Sequence, residues 1–262
     1  VAVVEPVVNE PAAVADLPDE RALLIADYHA GIEVGLRYEL GVELDSAAET
    51  RREHVLSLLD RTDADRLVVL GDLAHRIPEP EGPERKEIAD LIAAVTDRVP
   101  MTLVTGNHDA GVAAAFADRL DVLPPAGGRI GSEGGPASTS VGVVHGHTWP
   151  DPDVLAADVV CLGHEHPQVR LSDAVGGSRI ERVWLRGSLH PEAFVDELEA
   201  TAVDAAGTDP DVVVFPAFND RSGGTWVNVA GNEFLSPFLP TAIASAEAYL
   251  LDGTRLGPYR DV

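Results

Sequence analysis

Apolar residues in the first half of the chain come in short unbroken runs. RALLIAD (Arg21–Asp27), RLVVLG (Arg66–Gly71) and MTLVTG (Met101–Gly106) are three of them. Runs of this length read as strands buried on both faces. Between them the spacing turns helical. Ala47–Leu59 sets Val55, Leu56, Leu58 and Leu59 on one side, with Asp45 or Ser46 as the N-cap, and Glu84–Asp97 forms a second helix. The order β-α-β-α-β predicts a parallel sheet covered by helices. Residues 1–20 are rich in Pro, Val and acids and predict an irregular arm or an edge strand.

After residue 125 the pattern changes. Gly127–Ser140 reads as turns around a short strand. Val141–Val144, Val159–Leu162, Val169–Leu171, Ile180–Leu185, Val212–Phe215 and Thr225–Val229 read as short strands of a second sheet. Asp151–Ala157 and Pro191–Glu199 are candidate helices, and Asp196–Asp211 is an acidic surface insertion. The last 20 residues carry no clear pattern. Two packed sheets with helices outside predict one α/β domain over residues 1–262.

The polar residues that interrupt these runs stand at strand ends. Asp27-Tyr28-His29 follows the first strand, Gly71-Asp72-Leu73-Ala74-His75 the second and Gly106-Asn107-His108-Asp109 the third. His145-Gly146-His147 and Gly163-His164-Glu165-His166 follow two later ones. Ligands of open α/β sheets bind beyond the carboxyl ends of the strands. Seven of the nine histidines fall in these five segments. Residues i and i+2 of an extended segment face one side, so Asp27 with His29, and His164 with His166, can converge. Oxygen and imidazole donors suit Mn²⁺, Fe, Zn²⁺, Ni²⁺ or Co²⁺ better than thiolate-loving ions. Asp27, His29, Asp72, Asn107, His145, His164 and His166 are too many for one tetrahedral zinc and fit two ions sharing a carboxylate.

Charge adds a second constraint. The 262 residues hold 19 bases and 44 acids, a formal net charge of −25, and Lys86 is the one lysine. Such a surface repels itself in dilute buffer, but at ~1 M salt the Debye length is about 3 Å and the repulsion is screened. This points to a salt-accumulating cytoplasm. Counterion release contributes little there, so a nucleic-acid partner would be held by metals, stacking and hydrogen bonds. A single cysteine, Cys161, offers no disulfide framework and reads as an intracellular core residue. No apolar run is long enough for a membrane span. Val1–Glu10 lacks the positive region of a signal peptide, and the start at Val1 suggests a removed initiator or numbering from within a longer product.

The ordered set D-x-H, G-D-x-x-[DH], G-N-H-[DE], H-G-H and G-H-x-H resembles the calcineurin-like metallophosphoesterase superfamily, over residues 21–167. G-D-L-x-H, G-H-E-H-P at 163–167 and P-A-F-N at 216–219 are similar to an archaeal branch related to DNA-repair exonuclease nuclease subunits and DNA-ligase-associated phosphoesterases. The resemblance implies a four-layer sandwich of two mixed β-sheets flanked by helices. It implies that Asp27, His29, Asp72 and His166 hold one ion, and that Asp72, Asn107, His145 and His164 hold the other. It further implies that a hydroxide shared by the ions attacks phosphorus. His108 would stabilise the developing charge and protonate the leaving oxygen. The implied substrate is a phosphoester, foremost a phosphodiester such as nucleic acid, with a repair protein as a partner supplying specificity.

One departure stands out. Many relatives carry an acid at position 75 that orients the catalytic histidine, and this chain has His75. His75 or Asp109 is then the candidate to orient His108. A metal-binding scaffold with little catalysis is the alternative reading, and His75 is its one hint. Glu165 reads as pointing to solvent or bracing a ligand, His147 as lying behind a ligand or near substrate, and Tyr28 as lining the cleft or packing. Asn219 and Arg221 read as an ordinary loop or as reaching substrate, while His54 and His190 read as ordinary histidines. No Walker loop, nucleophile elbow or strand-following G-x-G-x-x-G is present. An amidohydrolase would place H-x-H after the first strand, where Asp27-Tyr28-His29 stands.

Overall fold

The computed structural model describes residues 3–77, 79–131, 140–173, 175–195, 197–198 and 209–262. Two mixed sheets pack face to face. The first holds six strands in chain order: β1 (Val4–Pro6), β2 (Ala12–Asp16), β3 (Arg21–Ile25), β4 (Arg66–Val69), β5 (Met101–Val104) and β6 (Asp121–Leu123). β3 to β6 run parallel, and β1 and β2 are added antiparallel. The parallel connections are filled by α1 (Ile32–Leu40) and α2 (Ala48–Thr62), then α3 (Gly82–Thr96), then α4 (Ala110–Ala115).

The second sheet holds eight strands: β7 (Gly128–Ile130), β8 (Val141–Val144), β9 (Val159–Leu162), β10 (Gln168–Ser172), β11 (Ser178–Leu189), β12 (Asp211–Val214), β13 (Ile243–Leu250) and β14 (Arg255–Pro258). Their order is β14-β13-β11-β12-β9-β8-β7, with β10 paired to β11. β8, β9 and β12 are the parallel members.

The unbroken apolar runs follow from this layering. Successive side chains of a strand face opposite sides. Leu24, Ala26, Val68, Leu70 and Val104 meet Val143, Cys161, Trp184, Val213 and Phe215 in the layer between the sheets. Leu23, Ile25, Leu67, Val69 and Leu103 pack on the other side against Val55 and Leu58 of α2 and Ile88, Leu91 and Val95 of α3. On the far side of the second sheet, Leu162, Leu185 and Val214 bury Phe194, Phe238 and Leu155. Both faces are covered at the centre of each sheet, so β3, β4, β5, β8 and β9 bury apolar side chains on both sides.

Several sequence expectations are corrected. The N-terminal arm supplies the expected edge strand, β1, and beyond it an interior strand, β2. Ala12, Ala13 and Ala15 of β2 are fully buried against β3, and their small size lets the strand lie close in the layer. α1 has no counterpart in the apolar pattern, because its turns leave Tyr38 and Leu40 exposed. Thr225–Val229 is a turn, with Trp226 making one isolated bridge to Gln168. Within Pro191–Glu199 the described helix is a single 3₁₀ turn, Pro191–Phe194, and Asp151–Ala157 shortens to α5, Pro152–Leu155. The last 20 residues supply the hairpin β13–β14. Most of Gly131–Ser140 and of the Asp196–Asp211 insertion lies outside the described residues. No helix among the described residues is long and apolar enough to cross a membrane.

Candidate metal centre

Parallel strands bring their carboxyl ends to one rim. Five loops meet there. Asp27 and His29 follow β3, Asp72 follows β4, Asn107 and His108 follow β5, His145 follows β8, and His164 and His166 follow β9. Five of these residues sit in the left-handed backbone region: Asp27 (φ 57°), His29 (47°), Asp72 (51°), His164 (67°) and His166 (43°). Asp and His tolerate this region better than most residues, but each instance costs of order 1 kcal/mol. Strain concentrated at one rim, in residues from three loops far apart in the chain, marks a site whose surroundings fix its shape. Glycine permits the crowding. A Cβ at Gly71 would stand 2.3 Å from Nδ1 of His145, and one at Gly106 only 2.2 Å from Oδ1 of Asp72.

The side chains form two abutting donor groups. Asp27, His29 and His166 make one, and Asp72, His145 and His164 the other. In the first, Nε2 of His166 lies 3.1 Å from Oδ1 of Asp27 and 3.4 Å from Nε2 of His29. In the second, Nε2 of His145 lies 3.4 Å from Oδ1 of Asp72 and 3.1 Å from Oδ1 of Asn107, while the His164 ring centre is 4.8 Å from that of His145. Donors bonded to one ion at about 2.0–2.2 Å stand roughly 3.0–3.5 Å apart, which matches these separations. Asp27 also accepts the His164 backbone N–H at 3.1 Å and lies 3.9 Å from Nδ1 of His145, tying the groups together.

Backbone carbonyls aim the imidazoles. Nδ1 of His29 donates to the Ala74 carbonyl (3.3 Å), that of His145 to Leu70 (2.7 Å) and that of His166 to Gly223 (2.7 Å). A carbonyl accepts only, so Nδ1 carries the proton and a neutral ring turns its Nε2 lone pair inward. With the rings neutral, Nε2 of His29 and of His166 face each other with lone pairs, and so do Nε2 of His145 and Oδ1 of Asn107. A cation between such pairs removes their repulsion. The residues fit divalent metal ions.

His108 is set by the same device. Its Nδ1 lies 2.5 Å from the backbone carbonyl of His75, and its Nε2 lies 3.8 Å from Oδ2 of Asp72. His75 thus holds it through its backbone carbonyl, and the two rings stack at 6.3 Å. Asp109 instead accepts the Ala74 N–H (3.1 Å) and the Gly106 N–H (3.0 Å), locking the β4 and β5 loops together. Burial and the nearby Asp72 charge push the Asp109 carboxyl up to about 6. Asp109→Ala strands two buried N–H groups and is expected to cost about 1–3 kcal/mol for each. Urea unfolding checks this; a change below ~0.5 kcal/mol, the range of ordinary surface substitutions, contradicts the locking role.

The charges are strongly coupled. Burial alone would raise Asp72 and Asp27, but the facing histidines hold both below the usual carboxylate range. Burial works against protonation of His145 too, yet Asp72 and Asp27 hold it up at about 9. Burial pushes His29 and His164 down to about 4, so they are neutral near pH 7. The sign for metal uptake follows. Without metal, His145 keeps its proton at pH 7 and must release it to become a ligand. Against burial, Asp27 raises His166 as well, so metal affinity is expected to rise with pH until about 9, with at least one proton released per chain near pH 7. Calorimetry in buffers of differing ionisation enthalpy reads this, and heats independent of buffer contradict it.

All seven candidate ligands and His108 are therefore brought together, and His75 and His147 lie beside them. The His75 ring centre is 5.5 Å from that of His29 and 6.3 Å from that of His108, and His147 is 5.2 Å from His145. His54 and His190 lie apart, beside Glu10 and Asp209. Tyr28 is buried and stacks on Phe218. Glu165 is wholly buried and turned from solvent, taking the N–H groups of Leu235 and Ser236 and the Thr225 hydroxyl. Asn219 donates to the Tyr28 and His29 carbonyls and so braces the first metal loop, and Arg221 pairs with Glu33. The buried Arg51–Glu33–Glu87 ion pairs, with Glu87 accepting the Gly31 N–H, support the same loop from below. Nothing in the sequence links Arg51 to the rim, because the connection runs through a fold-dependent backbone contact.

Comparison with known proteins agrees with this geometry. The family model for calcineurin-like phosphoesterases matches residues 20–187, which carry all five loops. The chain belongs to the calcineurin-like phosphoesterase family. This is a family of hydrolases that use divalent metals, and the two donor groups are its candidate metal sites. Among solved structures, the nuclease MPE of Pseudomonas putida is similar, with 19% identity over 95% of this chain and 97% of that one and a TM-score of 0.54. The phosphoesterase Yfce of E. coli is 16% identical over 90% of this chain and 97% of that one, with a TM-score of 0.41. A search of curated proteins finds no match.

Proposed function

We propose that this phosphoesterase hydrolyses phosphodiesters, with nucleic acid as the substrate class, through two divalent ions with Mn²⁺ foremost. The reading rests on one observation: two abutting donor groups with His108 held beside them. Asp27, His29 and His166 hold one ion; Asp72, Asn107, His145 and His164 hold the other, and Asp72 is shared. Such a pair, when bound, neutralises phosphoryl charge and makes hydroxide available near neutral pH. His108 donates its Nδ1 proton to the His75 carbonyl and, when doubly protonated, carries a second proton on Nε2, which passes to the leaving oxygen as the ester P–O bond breaks, leaving a neutral ring. The P. putida protein of like fold is described as a nuclease, which fits a diester substrate. The net charge of −25 supports action in a salt-rich cytoplasm. Two packed sheets fit one domain over residues 1–262, and a repair protein as partner rests on the resemblance of 163–167 and 216–219 alone.

The test compares bis-(p-nitrophenyl) phosphate, p-nitrophenyl phosphate and single-stranded DNA, with Mn²⁺ in molar KCl. Cleavage of the diester and the DNA is expected. Cleavage of the monoester alone contradicts the proposal.

A further inference from the structure

α1 starts three residues after His29 and lies directly against the site. A Cβ at Gly35 would stand 2.4 Å from the His75 imidazole, so this helix touches the ring that neighbours His29 and His108. Tyr38 stands three residues further on, about 4.5 Å along the axis and on the same side of the helix. It is 84% exposed, the one largely exposed aromatic residue among the described residues. Ile77, two residues after His75, is 66% exposed. Between them Arg76 is exposed, and its guanidinium makes no ion pair or hydrogen bond among the described residues, although acids outnumber bases 44 to 19. Its backbone N–H is fixed by Glu84 at 2.9 Å.

An exposed aromatic ring on the helix that touches His75 and an exposed arginine next to His75 in the chain offer what a flanking nucleotide needs. The aromatic ring takes a base by stacking, which every base accepts, and the cation takes a phosphate. The charge balance favours this occupant. A chain at −25 cannot track a nucleic acid by its overall field, and in concentrated salt long-range attraction is screened. Contact-range stacking survives both conditions.

We propose that Tyr38 and Arg76 form a subsite for the nucleotide next to the scissile phosphodiester, Tyr38 stacking on its base and Arg76 holding its phosphate. The subsite rests on the phosphodiesterase reading above and sets its preference for a nucleic-acid strand over a small diester.

The experiment measures kcat/KM for a single-stranded oligodeoxynucleotide and for bis-(p-nitrophenyl) phosphate with Mn²⁺, at low and at molar KCl. Wild type is compared with Tyr38→Ala, Tyr38→Phe and Arg76→Ala. Tyr38→Ala is expected to lower the ratio of DNA to small-diester activity by about five- to 100-fold at either salt, mainly through KM, and Tyr38→Phe to restore most of it. Arg76→Ala is expected to lower the ratio at low salt and much less in molar KCl. An unchanged ratio in both alanine variants overturns the subsite, as does a wild type that cleaves the small diester but not DNA. A chain that self-associates through Tyr38, dimeric as wild type and monomeric as Tyr38→Ala, overturns it as well. No hydrolysis of either diester is a different failure and removes the phosphodiesterase reading itself.

Discussion

Asp72→Ala is expected to abolish binding of both cations and to lower phosphodiester turnover by on the order of 10³–10⁵-fold. The reason is position. Asp72 is almost fully buried, its Oδ1 lies 3.4 Å from Nε2 of His145, and its Oδ2 faces His108 at 3.8 Å. Its charge also reaches His29 in the other donor group. Removing it leaves each group short of a negative ligand. Because Oδ1 also accepts the His108 backbone N–H at 3.1 Å, the alanine variant loosens the β5 loop. Asp72→Asn keeps the shape and removes the charge, which separates metal loss from misfolding. Elemental analysis after dialysis, beside thermal unfolding, reads the outcome. A folded Asp72→Asn chain that keeps two tightly bound ions contradicts the shared-ligand role.

His108→Ala is expected to do the reverse: to keep both ions and lose about 10²–10⁴-fold in kcat. His108 lies outside both donor groups, and its ring is steered by a backbone carbonyl. A proton donor matters most when the leaving oxygen is basic. The loss should therefore be large for an alkyl leaving group, as in DNA, and smaller for p-nitrophenolate. Stopped assays of both substrates check this. Equal losses on the two leaving groups, or no loss, contradict proton donation by His108.

The site was more legible in the sequence than the periphery of the fold. Asp27, His29, Asp72, Asn107, His145, His164 and His166 announced themselves because each interrupts or ends an apolar run, and runs of that kind form strands whose carboxyl ends share a rim. The β3–β5 parallel core was legible for the same reason. Strand β2 was not, since alanines between prolines and acids give little hydrophobic contrast, and its burial depends on neighbours distant in sequence. The way His108 is oriented was also hidden. A backbone carbonyl has no residue identity, so the acid missing at position 75 looked like a lost function where the chain supplies a main-chain acceptor. The burial of Glu165 is hidden for the same reason: its partners include backbone N–H groups about 70 residues away, which no local pattern records.

The convergence of five loops on a pair of cations is tested most directly by anomalous diffraction at the manganese edge from crystals grown with Mn²⁺. Two peaks are expected about 3.5–4 Å apart. One should lie among Asp27, His29 and His166, the other among Asp72, Asn107, His145 and His164, with Asp72 between them. A single peak, or peaks lying away from these residues, would contradict the dinuclear site.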